Sequence, residues 1–526
     1  MAAVNWPREE ALKILSQHPN NDRPILFETG FGPSGLPHIG TFAEVVRTLF
    51  VLQALKAEAP DREAKLFVFC DDLDGLRSLP ENVPNHELLR PHLGKPLSAI
   101  PDPFGTADSF SGHMNGKLRE FLDQYGFAYE YKSSTQAYRS GAFDQGLKAV
   151  MDRYDKVREL FVSTIGEDKR EAWSPFFPIC QSCGKVYTTR VLSVDPGNYT
   201  LDYACDKDEA AYKSCGHQGQ MSVLGGNAKV GWKVDWALRW FVFGVDYEMY
   251  GKDLMESASL SGKICRALGG KPPVPYKYEL FLDESGAKIS KKIGNGISMG
   301  QWIKYAPLGA LLHFLLGNPN KAKKMGLPIL PKLVDEYLQS ARTETAGELF
   351  SAPWFLSQIQ HQPLQDTPEL ASDLTYSLLF NLSEALSIFE APLLYDYALK
   401  YDPKVGEQSE FYLDLCQRIC RLALDQKEVA QEPEPLSLDL TFLPQLQKLA
   451  LHLESLGDQV TDGEELQTYL FGLAKELDLN PRDWFAFLYG ALLGKAQGPK
   501  IGPFFAIMGP KRALAMVTQA LERIGG

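Results

Sequence analysis

Pro24-Ile-Leu-Phe-Glu-Thr-Gly30-Phe-Gly-Pro-Ser-Gly-Leu-Pro-His38-Ile-Gly40 decides how this chain is read. The first seven residues form a short apolar run ending on glycine, the pattern of a buried strand. From Ile39 onward, Phe42, Val45, Val46, Leu49 and Phe50 recur near a helical period. A second strand follows at Lys65-Leu-Phe-Val-Phe-Cys70 and runs into Asp71, Asp72 and Asp74. Strand, helix and strand at this spacing make a parallel unit, so an α/β fold with a doubly wound sheet is expected.

Working outward, 526 residues suggest about three domains at roughly 100–200 residues each. An apolar content of 44% supplies several cores without marking a membrane protein. The longest apolar stretch, around Leu308 to Leu316, is interrupted by His313 and is too short to span a bilayer. The start, Met-Ala-Ala-Val-Asn-Trp-Pro, lacks a basic region followed by an apolar run. A cytoplasmic protein is the expectation. A net charge of −12 argues against a chain coated by nucleic acid, although a local basic patch suffices for phosphate contacts.

The loop between strand and helix carries the first chemistry. Gly30, Gly32 and Gly35 let a backbone approach a ligand closely. The next helix presents N–H groups and a positive dipole end, a ready phosphate site. His38 can donate to a phosphate oxygen, and Gly40 is read as leaving room for an adenine ring. By itself such a loop is equally a plain turn. The second feature is Asp283-Glu-Ser-Gly-Ala-Lys288-Ile-Ser-Lys291-Lys292-Ile-Gly294-Asn295, a glycine-bounded lysine loop after a strand-like run, Tyr278-Glu-Leu-Phe-Leu282. Lysines there suit a reaction in which pyrophosphate leaves, because they stabilise charge on the departing group.

Together the two segments resemble the HIGH and KMSKS signatures of the class I aminoacyl-tRNA synthetases. That resemblance implies a Rossmann-type doubly wound catalytic domain. It assigns His38, Lys288 and Lys291 to phosphate and transition-state contacts. Pro37, Gly40, Asp253 and Ser290 join them in ATP binding, with Mg2+ accompanying the nucleotide. Thr41 stands where the fourth HIGH residue would be, and Lys292 replaces the last serine of KMSKS.

Further segments are similar to the lysyl branch of class I. These are Thr29 to Glu44, Asp71-Asp-Leu-Asp-Gly-Leu-Arg77, Trp232-Lys-Val-Asp-Trp-Ala-Leu-Arg-Trp240, and Gly244 to Asp253. Where many members of that branch place histidine after the aspartate, this chain has Leu254. The resemblance implies lysine, ATP and tRNA(Lys) as partners of a monomer, with no membrane. It implies activation of lysine to an adenylate, then transfer to the 3′ end of the tRNA. Residues 1–173 would form the first half of the catalytic domain, 174–228 a metal-binding insertion, 229–345 the second half, and 346–526 a helical anticodon-binding domain.

The residue chemistry agrees with lysine. An ε-ammonium needs a carboxylate, and its methylene stem needs an apolar or aromatic wall. Glu44 falls one helical turn beyond Gly40, on the same face. Trp236 and Trp240 are candidates for the wall, and Gly30 for backbone contacts to the substrate. Asp235, Asp246 and Glu248 compete as acids. A glutamyl specificity would instead need a cation, and an inert paralogue, for which only Lys292 and Leu254 speak, would bind tRNA or nucleotide without aminoacylating.

Cys180-Gln-Ser-Cys183 has the spacing of a metal knuckle, and Cys205, Cys215 and His217 follow. Four cysteines, or three plus His217, suit a closed tetrahedral structural Zn2+ site. Cys70, Cys265, Cys416 and Cys420 sit in apolar patterns and read as core. Candidate tRNA contacts are Lys321, Lys323, Lys324, Lys495, Lys500, Lys511 and Arg512.

Overall fold

The computed structural model describes residues 6–283, 285–289, 297–345, 347–359, 370, 372–429, 438–457, 459, 462–476, 480–494 and 498–525. Ser290, Lys291, Lys292, Gly294, Asn295 and Lys495 lie outside the described residues.

The chain folds as two compact units, the first comprising Met1–Met299, Leu312–Leu327 and Ala346–Pro363. Its centre is a five-stranded sheet of β1 (Ile25–Phe31), β2 (Ala64–Cys70), β3 (Glu130–Ser133), β4 (Tyr247–Gly251) and β5 (Val274–Tyr278). The spatial order is β5-β4-β1-β2-β3, and every pairing is parallel. The winding direction reverses between β1 and β4, and ligands bind in the crevice at the carboxyl ends of such strands. The first five residues of β1 are buried without alternation, as expected of a strand covered on both faces.

The helix Ile39–Glu58 returns the chain from β1 to β2 and is apolar on most of its circumference. Phe42 packs edge-on against Phe121 and Phe127, and Phe50 against Phe355. The tryptophan-rich segment forms the helix Trp232–Phe243, which stops at Gly244 in the left-handed conformation (φ 68) that glycine adopts without strain.

One expected strand is divided. Tyr278 closes β5, and Glu279 N–H donates to Pro319 O at 2.8 Å. Phe281–Leu282 then pairs in parallel with Lys323–Lys324. The periodicity spans this break because both halves are apolar, while the turn between them is fixed by a contact forty residues distant.

The cysteine-rich stretch is a β insertion. Phe176–Pro178 and Ala228–Val230 pair antiparallel as its stem, and Arg190–Asp195, Thr200–Ala204 and Gln218–Ser222 form a three-stranded antiparallel sheet.

The second unit comprises Gly300–Leu311, Pro328–Thr345 and Leu364–Gly526. Its described residues hold helices and no strand. Asn480 caps the helix Pro481–Leu493 by accepting from Arg482 N–H at 3.0 Å, and Pro510 opens the last helix. No described helix is long and apolar enough to cross a membrane.

Candidate active site

A cavity of ≈ 490 Å³ opens at the carboxyl end of β1. Thr29, Gly30, Phe31 and Gly32 line it from the strand and loop, and His38, Ile39, Gly40, Thr41, Glu44 and Val45 contribute from the helix start. Leu254, Tyr278, Leu280, Phe281, Ile289, Ile297 and Met325 make an apolar and aromatic wall. Pro37 is not part of this lining.

His38 is the N-cap of the helix, with extended backbone (φ −113, ψ 172). Its Nδ1 accepts from Gly40 N–H at 2.9 Å, so the neutral ring carries its proton on Nε2. Gly40 has a second reason beside the one expected. A Cβ there would stand 2.6 Å from His38 Cε1, so glycine makes room for the histidine ring itself. Ile39 N–H donates to Ile297 O at 3.4 Å, and His38 bridges Ser298, which ties this loop to the segment after the lysine loop.

Glu44 faces the cavity one turn further on, and Tyr278 O–H donates to its Oε2 at 2.5 Å. Among the described lining residues, Glu44 is the only carboxylate. Beneath it, the buried Arg47 guanidinium lies 5.2 Å from the Tyr278 ring centre and 4.8 Å from that of Phe281. Burial lowers Arg47 to about 10, against the opposing pull of Tyr278, Tyr276 and Glu44. The Glu44 carboxylate therefore accepts from a phenol and lies in the field of a buried cation one turn along the helix.

Lys288 reaches the cavity from the lysine loop and forms an ion pair with Asp253, in the turn after β4. Asp283 shapes the turn before it. Its carboxylate accepts from Ala287 N–H at 2.9 Å and from Ser285 O–H at 2.6 Å, and Gly286 takes φ 88.

Comparison with known proteins decides the family. Residues 4–352 match the model of tRNA synthetases class I (K), and residues 399–521 match that of an anticodon binding domain. The lysine–tRNA ligase of Rickettsia felis is 40% identical over 519 residues, covering 97% of this chain and 96% of its own. The chain belongs to the class I lysyl-tRNA synthetase family. The lysine–tRNA ligase of Rickettsia africae is also 40% identical, covering 97% of each chain, and that of Rickettsia bellii is 38% identical, covering 98% of each. A solved glutamate tRNA ligase from Elizabethkingia meningosepticum covers 95% of this chain and 99% of its own, at 12% identity and a TM-score of 0.36. The assignment rests on the sequence relatives.

The acids that competed with Glu44 in this synthetase-family chain are engaged elsewhere. Asp246 binds Arg23 through two contacts of 2.6 Å and accepts from Leu26 N–H at 2.9 Å. Asp235 accepts from Tyr138 O–H at 2.5 Å. Glu248 is buried under Trp236 and Trp240 and accepts from both indoles, at 2.9 Å for Trp236. This bonding corrects the expected substrate wall. Trp236 and Trp240 are 4% and 3% exposed, face the sheet, and do not line the cavity. Both indoles serve Glu248 instead. The cavity itself is walled by Tyr278 with Leu254, Leu280 and Phe281.

Behind the cavity is a buried charge cluster that sequence reading missed. Arg239 lies 3.2 Å from Glu28 and 3.2 Å from Asp71, with its guanidinium 4.4 Å from the Phe69 ring centre. Burial pushes Asp71 up to about 7 and Glu28 well above its ordinary range, with Arg239 opposing both. A Cβ on Gly30 would meet this guanidinium at 3.3 Å, so Gly30 places the cavity wall directly against the cluster. An acid in the middle of an apolar strand, as Glu28 is, was the available signal.

The cysteines converge as the spacing implied. The sulfurs of Cys180, Cys183, Cys205 and Cys215 all lie within 4.8 Å of one another. The Cys180–Cys215 and Cys183–Cys205 separations are 3.6 and 3.8 Å. A tetrahedral zinc with bonds of about 2.3 Å requires roughly 3.8 Å between sulfurs, so the donor set fits that ion. His217 is outside the four. Its backbone N–H bonds the Cys215 thiol and is the main influence lowering it to about 7, while its buried Nε2 has no hydrogen-bond partner.

Proposed function

We infer that this chain is a lysine–tRNA ligase, which activates lysine with ATP and transfers it to the 3′ end of tRNA(Lys). The observation carrying the site assignment is Glu44, a carboxylate at the end of an apolar and aromatic cavity beside a phosphate-binding helix start. Lysine is placed with its ε-ammonium on Glu44 and its stem along Tyr278 and Leu254. The ATP phosphates are placed at the N-terminus of Ile39–Glu58, with His38 and Lys288 around them and Asp253 toward the ribose; Lys291, outside the described residues, is given its phosphate role by the family resemblance alone. Gly30 adjoins the substrate's α-carbon end.

In this arrangement the lysine carboxylate attacks the α-phosphate and pyrophosphate leaves. The terminal ribose hydroxyl of the tRNA then attacks the adenylate. The protein supplies alignment and charge stabilisation, and no covalent intermediate with a side chain is required. Mg2+ accompanies the nucleotide as part of the substrate. Aminoacylation of tRNA(Lys) with each amino acid in turn tests the reading. Charging is expected with lysine, and charging with glutamate instead would overturn it.

The cysteine cluster is assigned a structural zinc, which would brace an insertion with a small core of its own. Metal analysis of purified protein is expected to return about one zinc per chain. Cys183→Ser or Cys205→Ser should lose it and lower the Tm, whereas His217→Ala should keep it. Zinc loss in the histidine variant alone would overturn the four-cysteine assignment.

A further inference from the structure

A second concavity, of ≈ 630 Å³, lies on the same carboxyl edge of the sheet, beyond the ends of β2 and β3. Apart from two glycines, every residue lining it has a polar side chain, among them Asp72, Ser109, Asn115, Arg119, Gln136 and Arg139. Its one carboxylate is already engaged: Asp72 accepts from Ser133 O–H at 2.5 Å and from Thr135 N–H at 2.7 Å. Among the described residues neither Arg119 nor Arg139 forms an ion pair. Arg119 lies over the Tyr131 ring at 5.0 Å. The helix Phe110–Gln124 begins at this cleft, capped by Ser109, so its positive end adds to the two guanidiniums. In a chain of net charge −12, this is a locally cationic, hydroxyl-rich surface.

We propose that this cleft holds the phosphodiester backbone of the single-stranded 3′ end of the tRNA, one or two nucleotides before the terminal ribose. The proposal rests on the ligase reading. Transfer requires that ribose at the cavity by β1, where Phe31 stands opposite Cys70 of β2, which in turn stands opposite Ser133 of β3. Two strand spacings, roughly 10 Å, separate cavity and cleft. Leu280, Phe281 and Lys288, which follow β5 in the chain, also line the cavity. Two arginines match two successive phosphates, and the hydroxyls and amides supply partners for sugars and base edges.

The test is a thermodynamic cycle on the full chain. Equilibrium binding is measured for intact tRNA and for tRNA lacking its 3′-terminal single-stranded nucleotides. Both are bound to the unaltered protein and to the Arg119→Ala/Arg139→Ala variant. The unaltered protein is expected to bind the shortened tRNA about tenfold more weakly, and the variant to show less than about twofold difference. The variant's KM for tRNA should rise while KM for lysine and ATP stays unchanged. Arg119→Lys/Arg139→Lys should restore part of the difference, and it serves as the probe if the alanine variant does not fold. An undiminished penalty for shortening in the variants would overturn the proposal, as would no penalty in the unaltered protein. Failure of the unaltered protein to charge tRNA would overturn the ligase reading itself.

Discussion

Glu44→Gln is expected to lower kcat/KM for lysine by roughly 10²–10³-fold, with KM for ATP nearly unchanged. The substitution keeps size and shape, and the amide oxygen can still accept from Tyr278. What is lost is the negative charge opposite an ε-ammonium that has left water, which typically costs about 2–5 kcal/mol. Nothing in the described lining can replace it, because Asp235, Asp246 and Glu248 are committed to Tyr138, Arg23 and the two indoles. Initial rates of aminoacylation at varied lysine give the answer. A change below about threefold would move lysine recognition to another carboxylate.

His38→Ala is expected to lower kcat by roughly 10²–10³-fold while leaving KM for lysine within a few-fold. His38 stands at the N-cap, where, in the proposed placement, a phosphate oxygen would meet both the ring N–H and the helix end. The same change also removes the bond from Gly40 N–H, a cap worth about 1 kcal/mol of stability. The two losses can be separated. Asn at position 38 also caps a helix, so His38→Asn should recover Tm without recovering kcat. Recovery of both would make the histidine a structural cap only.

Sequence was sufficient where local chemistry alone determines the outcome. The parallel core followed from the apolar run of β1 and the helical period after Ile39. The metal knuckle followed from Cys180 and Cys183. What remained hidden depended on distant partners. Tyr278 reads as the start of a strand, and only the packing of β5 beside the helix Ile39–Glu58 shows it gripping Glu44. Trp236 and Trp240 look like a substrate wall until Glu248, on β4, takes both indole protons. Arg239 sits in an apolar helix, and its role appears only when β1 and the turn after β2 bring Glu28 and Asp71 to it. The closeness of the His38 ring to Gly40 was hidden as well, because rotamers are not visible in a list of residue types.

The helix Ile39–Glu58 carries both His38 and Glu44, six residues apart. At about 1.5 Å per residue their separation along the axis is roughly 9 Å, fixed by backbone hydrogen bonds and by burial on most sides. With lysine placed as proposed, it would act as a rigid gauge of side-chain length. An amino acid that reaches the phosphate end with its carboxylate must extend its cation to the acid at the other end. A shorter diamino acid can touch one end or the other, and no loop movement can bring the two closer together.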